Sequence, residues 1–345
     1  GSALGSPSAQ RVLTSTDRND GLCVLIDVPD PDLAIDIARK SKFVVHAVHK
    51  DADKVTALRK AIDRSGLYGR VSVQESDGED LPYVDNLVNL LVDERNLEKE
   101  AMRVLAPNGV AYVLGKKMTK PWPSSIDEWT HFRHNAEGNM VADDTVVGPP
   151  RYVQWVSNPM FQRAHTLTPG TTAMVTSGGR VFYIQDESPL GFGGLPGQWR
   201  LIARDAFNGK LLWKRDIGPW GLEAWSWFTA GHMVRFYNPT HVNRRMVAAK
   251  DRVFVTLGYN EPVSALDPAT GKTLLDYKGT DYADEVVYRE GVLYVSVNDR
   301  PQKPLPGRGL NAEPTEENTS NKMVWAIEAV SGKVLWKAGP HTGVT

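Results

Sequence analysis

The chain has 345 residues, of which 41% are hydrophobic and 23% charged, an ordinary globular composition with material for about two domains. Its 40 basic and 41 acidic side chains give a net charge of −1, which argues against a nucleic-acid or anionic-membrane partner held by bulk charge. A single cysteine, Cys23, excludes an intrachain disulfide, a cysteine-rich zinc site and a CxxCH haem attachment. No apolar run approaches the roughly 18 residues of a membrane span.

In the first 120 residues, strands alternate with helices after a short polar segment. Residues 1–20 are small and polar, and we expect them to be a flexible tail. From residue 21 onward, continuous apolar runs of strand length alternate with segments of helical spacing. The predicted strands are 22–26, 43–48, 71–73, 87–92 and 110–114, and the predicted helices are 33–40, 53–65 and 98–105. This alternation predicts a parallel α/β sheet of the Rossmann type.

Helical periodicity nearly disappears after Lys120. Residues 121–150 are rich in Pro, Trp, His and Asn, and we expect them to connect two domains. Short alternating segments then recur and predict an all-β domain, interrupted by a polar, Pro/Gly-rich surface loop at 299–322. The predicted strands are 152–156, 173–176, 181–185, 201–204, 211–214, 246–249, 253–257, 263–266, 286–288, 293–297, 324–327 and 334–337.

An internal repeat organises this all-β part. Three segments align without gaps, and each consists of a strand, a tight turn that ends in Gly-Lys, and a second strand. They are 201–213, 263–275 and 324–336. The turn glycines can supply the positive φ that such a turn needs; they are Gly209, Gly271 and Gly332. A further strand precedes each unit, and several strands at a fixed period indicate blades of a β-propeller.

The repeat pattern A-x-D-x-x-[TNS]-G-K-x-L-W resembles that of the pyrroloquinoline-quinone (PQQ)-like β-propellers, which include quinoprotein alcohol dehydrogenases. Residues 21–115 resemble a degenerate S-adenosylmethionine (SAM)-dependent methyltransferase domain. Residues 127–131 and 146–150 resemble the joint in large secreted planctomycete-type proteins that combine these two domains. The resemblance implies a periplasmic or extracellular protein, although the sequence shows no leader. The implied order is tail (1–20), Rossmann-like domain (21–120), connector (121–150) and incomplete PQQ-like propeller (151–345).

Neither domain carries the full cofactor site of the family that it resembles. The turn at 27–32 has two prolines and three carboxylates where SAM binding requires glycine, and only Asp77 matches the SAM pattern. Asp27, Asp30 and Asp32 offer an alternative role as cation ligands. The single cysteine excludes the vicinal disulfide on which quinoprotein dehydrogenases stack PQQ. We therefore expect no cofactor, with PQQ, SAM or a divalent metal as the alternatives.

Two groups of side chains are candidate sites. His131 and His134 are spaced to share one face of a helical turn, and with His165 they are candidate ligands of Zn²⁺ or Cu²⁺. The competing interpretation is that these histidines hydrogen-bond the connector to the propeller. An insertion between the first two blades combines aromatic and charged side chains suited to a carbohydrate or a partner, or else to a hydrophobic cluster under a loop. Its candidate ligand-binding residues are Trp220, Trp225, Trp227, His232 and Arg235.

The number of blades bears on function. Residues 151–345 supply three clear blades and part of a fourth, at about 40 residues per blade, whereas a PQQ-like propeller has about seven or eight. Trp213 and Trp336, with Leu275 in the middle copy, are expected to pack between neighbouring blades. The last blade should then present an apolar face, to be covered by the remaining blades on another polypeptide or by a second copy of the chain.

The expected function is non-catalytic binding or scaffolding in an extracytoplasmic protein. One alternative is an enzyme, either a propeller oxidoreductase or a polysaccharide-active enzyme, whose site needs additional blades. A second alternative is an active SAM-dependent methyltransferase.

Overall fold

The structure is a computed structural model of the chain, and it divides into two units. The described residues are 8–16, 18–77, 79–149, 153–160, 170–188, 197–218, 220, 227–230, 233–236, 242–301 and 319–344. The first unit comprises residues 1–125, 148–156 and 205–210, and the second comprises 126–147, 157–204 and 211–345. None of the helices in the described ranges is both long and apolar enough to cross a bilayer.

The first unit is built on one mainly parallel sheet. Its strands are β1 (Asp20–Ile26), β2 (Lys42–His49), β3 (Val71–Glu75), β4 (Val88–Asp93), β5 (Leu105–Val113) and β6 (Lys116–Thr119). They lie in the order β3-β2-β1-β4-β5-β6, with β1 to β5 parallel and β6 antiparallel to β5. The order reverses between β1 and β4, as in a doubly wound Rossmann-type sheet. The predicted fold class of this region is confirmed.

Alternation of side chains along the strands explains the continuous apolar runs. Cys23 and Leu25 of β1 belong to one buried cluster, whereas Val24 and Ile26 belong to another. Successive side chains of a strand point to opposite faces of the sheet, so a sheet covered on both faces needs apolar residues at every position. All six residues of β4 are buried.

In the described part of this unit, four helices accompany the sheet, and local signals set their ends. They are α1 (Ala9–Leu13), α2 (Pro31–Lys40), α3 (Ala52–Ser65) and α4 (Glu98–Val104). The Asp51 carboxylate accepts N–H bonds at the start of α3, which ends at Gly66 with a φ of 70°. Helix α1 lies in the segment expected to be a flexible tail, and Val12 is fully buried in the core. That expectation is wrong for these residues, because a short apolar patch is enough to dock a single helical turn.

The described residues of the second unit form three four-stranded antiparallel sheets, the blades of a partial propeller. Blade 1 is β7 (Thr171–Ser177), β8 (Arg180–Asp186), β9 (Trp199–Asp205) and β10 (Leu211–Asp216). A hairpin of β11 (Trp227–Ala230) and β12 (Met233–Phe236) follows it. Blade 2 is β13 (Met246–Ala248), β14 (Val253–Thr256), β15 (Val263–Leu266) and β16 (Thr273–Asp276). Blade 3 is β17 (Ala283–Arg289), β18 (Val292–Asn298), β19 (Thr319–Glu328) and β20 (Val334–Val344).

In each blade the strands lie in chain order, so the three aligned repeats are the outer hairpins of three blades. One predicted strand is wrong: residues 153–156 form no strand. There the Trp155 indole N–H donates instead to the carbonyl of Ala206, at 3.1 Å within the first unit.

The repeated acidic residue and glycine form the turn between the third and fourth strands. In blade 2, the Asp267 carboxylate accepts the backbone N–H groups of Ala269 and Thr270, both at 2.8 Å. The N–H of Gly271 closes the turn on the Asp267 carbonyl, also at 2.8 Å, with a φ of 70°. Gly332 has a φ of 75°, so the positive φ predicted for these glycines is present.

A row of four side chains crosses each blade from its first strand to its fourth. In blade 2, Val247 pairs with Phe254, Phe254 with Ala265, and Ala265 with Leu275. In blade 1, Val175 pairs with Phe182 and Ala203 with Trp213, and all four lie in one apolar cluster. The row of blade 3 is Val287, Tyr294, Ala326 and Trp336. The rows of blades 1 and 2 lie in apolar clusters with side chains of the following blade. These interblade rows are the propeller core.

Candidate functional site

The connector lies along the inner strands of the blades. Strands β7, β13 and β17 are the first strands of their blades, and β13 contacts both of the others. The N–H of Thr176 in β7 donates to the carbonyl of Trp129 at 2.7 Å, and the Trp129 N–H donates to the Thr176 hydroxyl at 2.8 Å. The next connector residue, Thr130, accepts the N–H of Ala248 in β13 at 2.9 Å.

His131 extends this series of contacts to the third blade. Its Nε2 accepts the backbone N–H of Tyr288 in β17 at 3.1 Å, so its proton lies on Nδ1, which is 2.8 Å from the Thr130 hydroxyl. The side chain is 7% exposed, and burial lowers the pKa of His131 to about 4. Both ring nitrogens are therefore engaged in hydrogen bonds, and the neutral imidazole attaches the connector to blade 3.

His134 belongs to a different group of side chains. Its Nε2 is 2.6 Å from an oxygen of Asp127, and the same oxygen accepts the backbone N–H of Asp143 at 2.8 Å. One ligand atom from each of these three residues lies within 4.8 Å of the others. Within the described ranges, this is the only such group of three or more His, Cys, Asp or Glu residues.

The predicted histidine group is thus not assembled as expected among the described residues. His131 and His134 flank a tight turn, in which the N–H of His131 donates to the carbonyl of His134 at 3.1 Å, so they do not share a helical face. His165 lies outside the described residues. The sequence offered little to signal Asp127, because its contact with His134 depends on a chain reversal and not on helical spacing.

Hydrogen bonds keep the Asp127 carboxylate ionised. Burial alone would raise its pKa, but the backbone N–H groups of Asp143 and Glu128, together with His134, hold the pKa of Asp127 below its usual value. His134 itself is 3% exposed, and its ring packs on that of Trp129 with centroids 5.6 Å apart. The group therefore joins a buried imidazole to an ionised carboxylate.

Two clefts border the connector. The larger, of about 630 Å³, is mainly apolar and is lined by Trp129, Phe132, Asn243 and residues 171–176 of β7. The smaller, of about 220 Å³, has polar walls that include Arg244 and Glu285. The larger cleft combines aromatic side chains with threonine hydroxyls, a lining suited to a small ligand.

The candidate ligand-binding residues of the insertion between blades 1 and 2 lie in different surroundings. Trp220 is fully buried in the core of blades 1 and 2, so it is not available to stack on a ligand. The backbone of Trp227 pairs with Phe236 in the β11–β12 hairpin, which also contains Arg235. Trp225 and His232 lie outside the described residues. The interpretation as a hydrophobic cluster accounts for Trp220.

In the first unit, an ion pair lies where a Rossmann-type sheet receives its cofactor, at the carboxyl ends of β1 and β4. Arg95 follows β4 and donates to both oxygens of Asp27, which follows β1; the Nη2 contact is 3.1 Å. Arg95 also donates to the carbonyl of Ser76, the residue before Asp77. Burial alone would raise the pKa of Asp27, but hydrogen bonds from Arg95 and from the Lys50 N–H outweigh burial and hold the pKa below its usual value.

This pairing bears on the predicted cation role of the loop carboxylates. Asp27 is already neutralised by Arg95, and Asp30 caps helix α2 by accepting the N–H of Asp32 at 2.9 Å. The loop is therefore organised by internal contacts.

A family model matches part of the β-sheet region. Residues 197–344 match the PQQ-like family model described as outer membrane protein assembly factor BamB. The match begins just before β9 and ends with β20, so it covers blades 2 and 3 and the outer half of blade 1. The comparison with curated proteins gave no match.

Solved structures similar to the chain include methyltransferases. A protein from Methanococcus maripaludis, classified as SAM-dependent, is 22% identical with a TM-score of 0.29, over 31% of this chain and 55% of that one. A SAM-dependent methyltransferase from Aquifex aeolicus is 16% identical with a TM-score of 0.27, over 30% and 61%. The chain thus spans little more than half the length of these two proteins. The chain joins a mainly parallel α/β region to an all-β region, of which residues 197–344 match the PQQ-like family model.

Proposed function

We propose that this chain is a non-catalytic binding and scaffold part of a PQQ-like β-propeller protein, and that the outward face of blade 3 receives a further blade. One observation carries the proposal. The row of side chains on blade 3 has the same pattern as the covered rows of blades 1 and 2, but its last side chain, Trp336, is 47% exposed.

The covered rows show what such a face packs against. Trp213 is only 9% exposed, and its indole N–H donates to the carbonyl of Pro268 in blade 2 at 3.0 Å. Its ring lies against Gly271, where an added Cβ would come within 2.6 Å of a ring carbon. Leu275 lies against Gly332 of blade 3 in the same way, at 3.0 Å. Each row thus receives the Gly-Lys turn of the following blade.

Trp336 occupies the corresponding position on blade 3. Its ring lies 6.1 Å from that of Tyr294, as Trp213 lies 6.0 Å from Phe182. The partner that fits is therefore another blade with a glycine turn of the same kind. A second copy of this chain does not offer one from blades 2 or 3, because Gly271 and Gly332 already lie against their own neighbours. Burying one tryptophan side chain contributes about 2–3 kcal/mol.

The exposed face is tested by sedimentation velocity over a range of protein concentrations. Without a further blade, we expect the apolar faces of two chains to associate, and Trp336→Lys to abolish this association. Leu274→Lys is the matched control, because Leu274 is 49% exposed on β16 but lies outside the row. A wild-type chain that remains monomeric at every concentration would contradict the proposal.

Two observations support a non-catalytic role for the first unit. The Asp27–Arg95 ion pair occupies the crevice, and the β1 turn has prolines where SAM binding needs glycine. Calorimetric titration with SAM is expected to give no binding at micromolar concentration, and titration with PQQ is expected to leave its absorbance unchanged. SAM binding that is lost in Asp77→Asn would favour a methyltransferase, and a PQQ complex would favour a propeller oxidoreductase.

The proposed location is extracytoplasmic. The support is the family description, which names an outer membrane protein assembly factor. The aromatic insertion remains a proposed site for carbohydrate or a partner, without Trp220, which is buried.

A further inference from the structure

The side chains of Asp127, His134 and Asp143 form a three-residue group at the connector, separate from the blade face. Their ligand atoms lie within 4.8 Å of one another. Donors around one metal ion at bond lengths of about 2.1 Å are about 3–4 Å apart, so a small closing movement brings all three within reach. Asp143 is exposed, which leaves an open side through which an ion can enter.

Two further observations point to a cation. Among the described residues, neither carboxylate forms an ion pair with a lysine or arginine, and His134 is the only basic partner of Asp127. His134 is 3% exposed and directs Nε2 at Asp127, while its Nδ1 is buried without a hydrogen-bond partner in the described part of the chain. The group therefore brings one imidazole nitrogen and two carboxylate oxygens within 4.8 Å of one another, a set of donors that suits a cation.

We propose that Asp127, His134 and Asp143 bind one divalent transition-metal ion, such as Zn²⁺. One imidazole nitrogen and two carboxylate oxygens suit this class of ion, and water completes the coordination. His134 Nε2 becomes a ligand when its proton moves to Nδ1, so the charge of the ring does not change. The shift replaces the 2.6 Å hydrogen bond between Nε2 and Asp127 with a metal bond, and it leaves the Nδ1–H buried with no acceptor among the described residues, a cost that metal binding must exceed. His131 is not a ligand, because Tyr288 and Thr130 engage its nitrogens.

The site is tested by titrating chelator-treated protein with Co²⁺, read from visible absorption, and then displacing Co²⁺ with Zn²⁺. We expect one equivalent to bind and Asp143→Asn to weaken binding about tenfold or more. Asp143 is exposed and contributes its backbone N–H to Asp127, so this variant should fold normally. Asp144→Asn is the matched control, because Asp144 caps the N–H groups of Val146 and Val147 and lies outside the group.

The control and His131→Gln should both bind within about threefold of wild type. Absence of binding in the wild-type chain, or equal binding by Asp143→Asn, would overturn the proposal. If His131→Gln weakens binding while Asp143→Asn leaves it unchanged, the metal belongs to a histidine group instead.

Discussion

At the residue scale, His131 and His134 show how two identical side chains three positions apart acquire different roles. His131 is neutral and accepts the N–H of Tyr288, while His134 contacts a carboxylate. The sequence singled out both as candidate ligands because they lie three positions apart in the connector. It did not separate them, since the difference arises from which strands and loops lie beside each ring.

The buried acceptor role of His131 predicts a pH dependence of stability. Its pKa is about 4 in the folded chain and near 6.5 when unfolded, so the unfolded state binds more protons between these values. Stability is therefore fully present above about pH 6.5 and falls as the pH falls toward 4. Between pH 8 and pH 5 the loss attributable to this residue is about 2 kcal/mol.

The check is urea unfolding of wild type and His131→Gln at both pH values, followed by tryptophan fluorescence. Glutamine can accept the Tyr288 N–H without titrating, so its free energy of unfolding should depend less on pH by that amount. His46 and His49 also have lowered pKa values, and their contribution is common to both proteins. Parallel pH profiles would contradict the role assigned to His131.

At the scale of elements, the glycine turn between the third and fourth strands of a blade has two functions. The turn needs a positive φ, and it also needs a bare backbone where the preceding blade's tryptophan or leucine packs. The repeat A-x-D-x-x-x-G-K therefore encodes both a hairpin and a blade-to-blade contact. Gly271 and Gly291 separate these functions, because both have positive φ and only Gly271 touches a neighbouring side chain.

Alanine substitution at these two glycines measures the contact. Gly291→Ala should lower the free energy of unfolding by about 1–2 kcal/mol, the cost of a left-handed backbone for an L-residue. Gly271→Ala should lower the free energy of unfolding by about 1–3 kcal/mol more, because its Cβ would lie 2.6 Å from the Trp213 ring. Urea unfolding of the two variants provides the comparison, and equal losses would show that the turn is not packed against Trp213.

The strands and the repeat were predictable because their signals are local. Apolar runs, alternation and Gly-Lys turns lie within a few residues of each other, and β15 has the predicted bounds of 263–266. The docking of α1 depends on partners far along the chain, as does the contact of Asp127 with the Asp143 N–H. Such contacts are fixed by tertiary packing, which a single sequence does not display.

At the scale of the whole molecule, the chain divides into two units. The first unit has the mainly parallel α/β sheet predicted for it, with an ion pair at the carboxyl ends of β1 and β4. The second has three blades, two of whose rows are covered and one of which ends at a half-exposed tryptophan. The proposed role as a scaffold depends on what covers that row.

The most direct test is the free energy of unfolding of a chain that carries one added blade. A copy of residues 246–276 is joined after residue 344 through a flexible Gly-Ser linker, and a matched version has valine in the copied position of Gly271. If the face of blade 3 receives a glycine turn, the glycine version should be more stable than the unextended chain by about 2–3 kcal/mol. The valine version should show no such gain. No gain with glycine, or the same gain with valine, would contradict the claim that this face is built to receive another blade.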